Sequence, residues 1–107
     1  MAQKIFKVKL EPLEVQKLIL DNMSEEMVSF DKYNLDGSKY LFIAVYERHY
    51  MRINSVVGLT IVCENTTGET VVKVISTGSS QGLLFLDFGA GKDFVDKVEG
   101  IISEYIK

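Results

Sequence analysis

The sequence predicts one α+β domain in which an antiparallel sheet packs against two helices. Its 107 residues correspond to about one domain length. Several short segments alternate apolar and polar residues and are joined by turn-forming residues, which indicates half-buried strands. Because strands joined by short turns must be antiparallel, a Rossmann-type parallel sheet is excluded. The whole chain, residues 1–107, is therefore expected to form a single domain.

The first strand and the first helix follow from a change in hydrophobic period. Apolar residues alternating with lysines predict a strand over Ile5–Leu10. Pro12 suits the first turn of a helix, because its fixed φ fits there and its missing N–H would be unpaired anyway. Helical spacing of the following apolar residues predicts a helix over Leu13–Met23.

A meander of strands is predicted in the middle of the chain, with turns rich in Asn, Asp, Gly and Ser. The segment that begins at Tyr40 is long, β-branched and aromatic, which favours a central strand. The segment Asn65–Gly68 predicts a hairpin loop. The predicted strands are Met27–Asn34, Tyr40–Arg52, Val56–Glu64, Glu69–Thr77 and Leu83–Phe88.

A long amphipathic helix is predicted from Lys92 onward. Its apolar residues form one wide stripe, which favours packing against the sheet. The predicted order is β-α-β-β-β-β-β-α, with both helices on one face of a sheet of five or six strands. The stripe comprises Phe94, Val95, Val98, Ile101, Ile102, Tyr105 and Ile106.

This order of elements resembles a shortened helix-grip domain. In such domains a curved antiparallel sheet wraps a long C-terminal helix and often leaves a ligand cavity between them. The resemblance covers the topology alone and includes no sequence motif. It therefore implies no particular functional residue.

Composition and charge exclude several classes of protein. Twelve basic and fifteen acidic residues give a net charge of −3, which disfavours nucleic acid as a partner. The chain has no apolar run of about 20 residues and no signal-peptide pattern, so no membrane partner and a cytoplasmic location are expected. One cysteine, Cys63, and one histidine exclude an intramolecular disulfide and the usual zinc sites. With no P-loop or dinucleotide fingerprint either, neither a metal nor a cofactor is predicted.

The register of the two longest strands decides which residues share a face. If Arg52 pairs with Ser55 across a tight turn near Ile53 and Asn54, then Tyr46 lies opposite Ile61. The face that carries these two residues is continuous and apolar, and we expect the helices to cover it. Cys63 falls on the same face, where it is interpreted as a small buried hydrophobe.

The opposite face carries the candidate functional residues. Under the same register, Glu47, Thr60 and Lys73 form one cross-strand row among valines and isoleucines, and His49 lies beside it. One interpretation is a solvent-side charge pair worth about 0–1 kcal/mol with an ordinary surface histidine. The other is the polar centre of a surface that binds a ligand or partner.

Three functional hypotheses follow. Because two helices cover about one face of such a sheet, the other face is expected to be hidden by curvature of the sheet or to meet another molecule, and we favour the second explanation. The first hypothesis is therefore a non-enzymatic binding module. It forms a homodimer through that face, or holds a protein or a small apolar ligand on it or in a cavity beneath the C-terminal helix. The second is a small acid–base enzyme that uses Glu47 and His49. The third, RNA binding by the alternating tyrosines and arginines of Tyr46–Arg52, conflicts with assigning that face to the helices.

Overall fold

Five strands and two helices make up residues 2–51, 55–78 and 90–107, the part of the chain that the computed structural model describes. All five strands are antiparallel neighbours in one sheet. The predicted α+β class is therefore confirmed. The elements are β1 (Ala2–Val8), α1 (Pro12–Asn22), β2 (Glu26–Asn34), β3 (Tyr40–Tyr50), β4 (Ser55–Glu64), β5 (Thr70–Gly78), α2 (Ala90–Ile102) and a 3₁₀ turn (Ser103–Tyr105).

The sheet has the order β1-β5-β4-β3-β2, so β4 is central and β1 and β2 are the edges. Since β2 to β5 follow one another in space as in sequence, short connections suffice for most of the sheet. The predicted strand Leu83–Phe88, the loop 79–82 before it and the turn at Ile53 and Asn54 lie outside the described residues.

The first strand begins and ends earlier than predicted. Pairing with β5 extends it back to Ala2, opposite Ser76. It ends at Val8 because the C-terminal segment meets it there: the Lys9 N–H donates to the Tyr105 carbonyl at 2.8 Å. This contact joins residues about a hundred positions apart, so the local alternation of residues could not show it.

Helix α1 runs over Pro12–Asn22, so it starts and ends one residue before the predicted Leu13–Met23, with Pro12 in its first turn. The Glu11 N–H donates to the Glu14 carboxylate at 2.9 Å, which completes a capping box at this end. Val15 and Ile19 lie on the side of the helix that is fully buried. The helix therefore contributes one apolar stripe to the core.

The core lies between the two helices and one face of the sheet, which we call the inner face. Its residues include Tyr46, Ile61 and Cys63, as expected from the sequence. From the helices come Val15, Ile19, Phe94, Val95, Val98 and Ile102, and from the sheet Val8, Tyr40, Phe42, Ala44, Tyr46, Val57, Leu59, Ile61, Cys63, Val72 and Val74.

The predicted register of β3 against β4 is wrong by two residues. Ser55 pairs with Tyr50, and Tyr46 pairs with Leu59 instead of Ile61, so the connection between these strands is longer than a tight turn. Because the side-chain period of a strand is two, a shift of two residues leaves every side chain on its predicted face. The prediction of the faces is therefore correct although the pairs are not.

Asn65 ties two turns together at one end of the sheet. Its side-chain carbonyl accepts a hydrogen bond from the Tyr40 N–H at 2.8 Å, and its amide donates to the Ser38 carbonyl at 3.3 Å. Gly68, which ends the same turn, has φ +96°, a conformation that favours glycine. The predicted hairpin loop thus also anchors the start of β3.

Candidate interaction face

The outer face of the sheet is the side opposite the helices. It consists of the odd-numbered residues of β1, β3 and β5, the even-numbered residues of β4, and the odd-numbered residues 29–33 of β2, together with Glu26, which pairs with Glu47. Both helices bury their apolar stripes against the inner face. The outer face therefore receives no apolar stripe from α1 or α2.

Eight aliphatic side chains lie on the outer face, seven of them on its three central strands β5, β4 and β3. Ile5 is 57% exposed and Val56 is 40% exposed. Six more apolar residues are half-buried between their strand neighbours. This content of Leu, Ile and Val exceeds what a solvated sheet face normally carries, since polar residues there usually alternate with the core residues. The half-buried residues are Leu41, Ile43, Val45, Val62, Val71 and Ile75.

The predicted row of Glu47, Thr60 and Lys73 does not form, because the register differs by two residues. All three residues lie on the outer face, but each belongs to a different row. Adjacent rows on one face are about 6.6 Å apart, so Glu47 and Lys73 are separated by about 13 Å along the strands. They therefore make no charge pair with each other. The observed partners are Glu26 and Gly58 for Glu47, Val45 and Ile75 for Thr60, and Val62 and Ile5 for Lys73.

Glu47 and His49 lie at the far end of β3, where both residues are exposed. His49 pairs with Val56 of β4, one row beyond Glu47. The structure thus places the two titratable groups on the same face, and both are exposed. Acid–base catalysis by this pair stays a prediction.

Lys73 occupies an unusual position in the middle of the outer face. Its cross-strand neighbours are Ile5 and Val62, and the residue itself is half-buried. Among the described residues, its ammonium group has no hydrogen-bond or ion-pair partner. The aliphatic part of a lysine in such surroundings packs along its neighbours, while its ammonium group stays accessible to solvent or to a partner.

The charges of the outer face are segregated between its two sides. Lys7 and Lys73 lie on β1 and β5. The acidic residues Glu26, Asp31 and Glu47 lie on β2 and β3. The lysines of the outer face thus lie on one side, where Lys7 pairs with Glu69 at 3.3 Å, and three of its acidic residues lie on the other, with Glu64 on the central strand between them.

A buried carboxylate that the sequence did not indicate lies outside this face. The Glu25 side chain is only 3% exposed. The Lys97 ammonium group donates to its two oxygens at 2.9 and 3.0 Å, and Arg48 donates at 3.0 Å. The three side chains come from the segment after α1, from α2 and from β3, so no local pattern could reveal the cluster.

Two opposing effects act on the pKa of Glu25. Burial raises it, but the hydrogen bonds and charge of Lys97, with the charge of Arg48, outweigh burial and hold the pKa below its ordinary value. The carboxylate is therefore ionised at neutral pH. It links three elements of the fold by charge-assisted hydrogen bonds.

Substitution of Glu25 by glutamine is expected to reduce the loss of stability in acid. Because the folded pKa lies below the ordinary value of 4.5, ionised Glu25 stabilises the folded state above that pH. This contribution disappears as the pH falls through the folded pKa. Urea unfolding of both proteins between neutral and acid pH measures the difference, with exposed Glu104→Gln as the matched control. Parallel pH profiles for wild type and Glu25→Gln would contradict the assignment.

Cys63 is fully buried, and burial raises its thiol pKa to about 12. A thiol of this kind stays protonated at neutral pH and is a poor nucleophile. The interpretation of Cys63 as a small buried hydrophobe is therefore confirmed.

A surface groove of about 230 Å³ lies between α1 and the 3₁₀ turn. Its apolar lining is Leu10, Leu18 and Tyr105, and its charged rim includes Lys17 and Asp21, which pair with each other at 2.9 Å.

Within residues 2–51, 55–78 and 90–107, no group of acidic, histidine or cysteine side chains is arranged to hold a metal ion. Neither helix in these ranges is long and apolar enough to cross a membrane.

Comparison with known proteins identifies a family but no characterised relative. Neither the curated proteins nor the solved structures include a significant match to this chain. The match to the DUF6054 family, described as a family of unknown function, covers residues 1–106. The chain therefore belongs to the DUF6054 family.

Proposed function

We propose that the chain is a non-enzymatic interaction module whose outer face binds a second copy of the chain. The observation that carries this proposal is the apolar outer face, against which neither α1 nor α2 packs. Removal of this surface from water would stabilise an assembly, since apolar area contributes about 25 cal/mol per Å². The single buried cysteine is compatible with the cytoplasm as the proposed location.

The size of the outer face is appropriate for a dimer. Five strands about 4.8 Å apart are about 24 Å wide, and strands of this length extend for about 30 Å. The resulting projected area of about 700 Å² approaches the roughly 800 Å² per partner that stable interfaces bury. A second copy also supplies an apolar patch of the same size, as isologous interfaces require.

A cavity beneath α2, which the helix-grip resemblance suggests, has less support. The side chains between α2 and the sheet, among them Phe94, Val98, Leu59 and Tyr46, are buried in one continuous core. Packed interiors leave little room for a ligand. The outer face is therefore the preferred binding surface, and a small apolar ligand becomes one outcome of the test.

Substitution of Ile43 by lysine is expected to convert the dimer to a monomer. The change places an added charge on the outer face between Val62 and Asp31, where a contact with a second copy would remove it from water. Sedimentation equilibrium over a dilution series measures the assembly mass against the 12.1 kDa of one chain. The matched control is Leu13→Lys, at a residue of α1 that is 59% exposed.

The expected result is a wild-type dimer, an Ile43→Lys monomer with an unchanged circular dichroism spectrum, and a Leu13→Lys dimer. A monomeric wild type, or a folded Ile43→Lys protein that still dimerises, would refute the proposal. Native mass spectrometry of the same samples detects a ligand as excess mass that denaturation removes. A monomer with such excess mass would replace the second copy by a bound ligand as the partner of the chain.

A further inference from the structure

We infer that the two copies stack about a two-fold axis parallel to the strands, so that Lys73 forms an ion pair with Asp31 of the partner subunit. This inference rests on the proposed function. It goes further by naming the orientation of the dimer and the residues that select it. Its evidence is the position of Lys73 and the segregation of charge across the outer face.

Lys73 and Asp31 lie in one cross-strand row of the sheet. The row runs Ile5, Lys73, Val62, Ile43 and Asp31 from β1 to β2, with Val62 at its centre on β4. Within one copy, three strand spacings of about 4.8 Å separate Lys73 from Asp31, too far for direct contact. The described residues provide no ion pair for either side chain.

An isologous face-to-face dimer has a two-fold axis in the plane between the sheets, and two directions are compatible with aligned strands. An axis perpendicular to the strands places β5 over β5 and β1 over β1. This axis also reverses the order of rows, so which side chains meet depends on the row that the axis crosses. For every such position, the side with Lys7 and Lys73 faces the same side of the partner subunit, and the side with the acidic residues faces its own counterpart. Such like-charge contacts are unfavourable at an interface.

With a two-fold axis parallel to the strands, the strands of the partner subunit lie across the interface in the reverse order. Each cross-strand row still faces the same row of the partner subunit. With β4 over β4, strand β5 lies over β3 of the partner subunit, and β1 lies over β2. Lys73 then lies across from the partner's Ile43 and one strand spacing from the partner's Asp31. A lysine side chain is long enough to cover that distance, and the symmetry forms the same pair twice.

Glu64 is the acidic residue closest to this axis, because it belongs to the central strand. Its carboxylate accepts hydrogen bonds from the N–H and the hydroxyl of Thr66 at 2.6 and 2.7 Å. These bonds hold the carboxylate toward the loop at the end of the sheet. Repulsion between the two copies of Glu64 is thereby reduced, and Lys73 with Asp31 remains the main charge contact.

Charge reversal at either residue should weaken the dimer at least about tenfold, and reversal at both should restore it. The variants are Lys73→Glu, Asp31→Lys and the double variant, with dissociation constants measured by sedimentation equilibrium. The matched control is Lys32→Glu, which changes the net charge by the same amount as Lys73→Glu. Lys32 lies on β2 but on the inner-face side of the sheet. If Lys73→Glu fails to fold because its row is apolar, Asp31→Lys at an exposed edge residue tests the same pair.

Recovery of affinity in the double variant supports the assigned orientation. The orientation is wrong if the single variants dimerise as tightly as Lys32→Glu, or if the double variant dimerises as weakly as the single variants. In both cases a dimeric wild type would leave the proposed function intact. A monomeric wild type, in contrast, removes the proposed function itself. The two failures are therefore distinguishable in one set of measurements.

Discussion

Replacement of Leu59 by alanine is expected to lower the free energy of unfolding by about 2–5 kcal/mol. Leu59 lies on the central strand β4 and has no exposed surface. Truncation would lose the transfer free energy of the removed atoms and leave a cavity that the paired strands on either side prevent from collapsing. Urea unfolding followed by circular dichroism measures the change.

The matched control for this prediction is Leu13→Ala, the same substitution at a residue that is 59% exposed. Its expected cost is below about 1 kcal/mol, because the side chain loses little buried surface. Both measurements belong in the Ile43→Lys background, so that dissociation does not contribute to unfolding. Equal costs for the two variants would show that the inner face of β4 is not the core.

Replacement of Lys97 by methionine is expected to destabilise the folded chain by about 1–3 kcal/mol at neutral pH. The variant keeps the aliphatic stem but removes the donor that holds both oxygens of Glu25. The carboxylate, only 3% exposed, is then left with Arg48 as its charged partner. Its pKa should rise, because a backbone hydrogen bond and the charge of Arg48 are then the remaining effects that oppose burial.

Lys17→Met is the matched control for the Lys97 variant. Lys17 pairs with Asp21 on the surface of α1, where the two side chains are 79% and 58% exposed. Exposed pairs at this helical spacing contribute about 0.3–0.5 kcal/mol. Chemical unfolding at neutral and acid pH compares the two variants. If Lys97→Met were no more destabilising than Lys17→Met, the Glu25 cluster would have no structural role.

The amphipathic patterns alone were sufficient to predict the class of fold. Strand alternation around Phe42 and Ile61 and the helical stripe from Phe94 to Ile102 predict which side chains are buried, and these residues lie in the core. Burial follows from a local period of two or 3.6 residues, so short segments carry the information. Because side chains alternate between faces with a period of two, the error of two residues in the register did not change the predicted faces.

Contacts between distant segments required the tertiary structure. The pairing of Ser55 with Tyr50 depends on the length of the connection between β3 and β4. The residues around Ile53 and Asn54 led to the prediction of a connection that was too short. The end of β1 depends on Tyr105, and the ion cluster joins Glu25, Arg48 and Lys97 from three elements. No periodic signal connects residues so far apart in the chain.

For the candidate site residues too, local alternation predicted the face, and strand pairing decided the neighbours. The sequence by itself determined that Glu47, His49, Thr60 and Lys73 share an apolar sheet face, because side chains two residues apart on a strand point the same way. Only the tertiary structure decided that they occupy different rows, and that Lys73 lies beside Ile5 and Val62. The physical reason is that alternation sets the face of a residue locally, whereas its neighbours are set by pairing between strands.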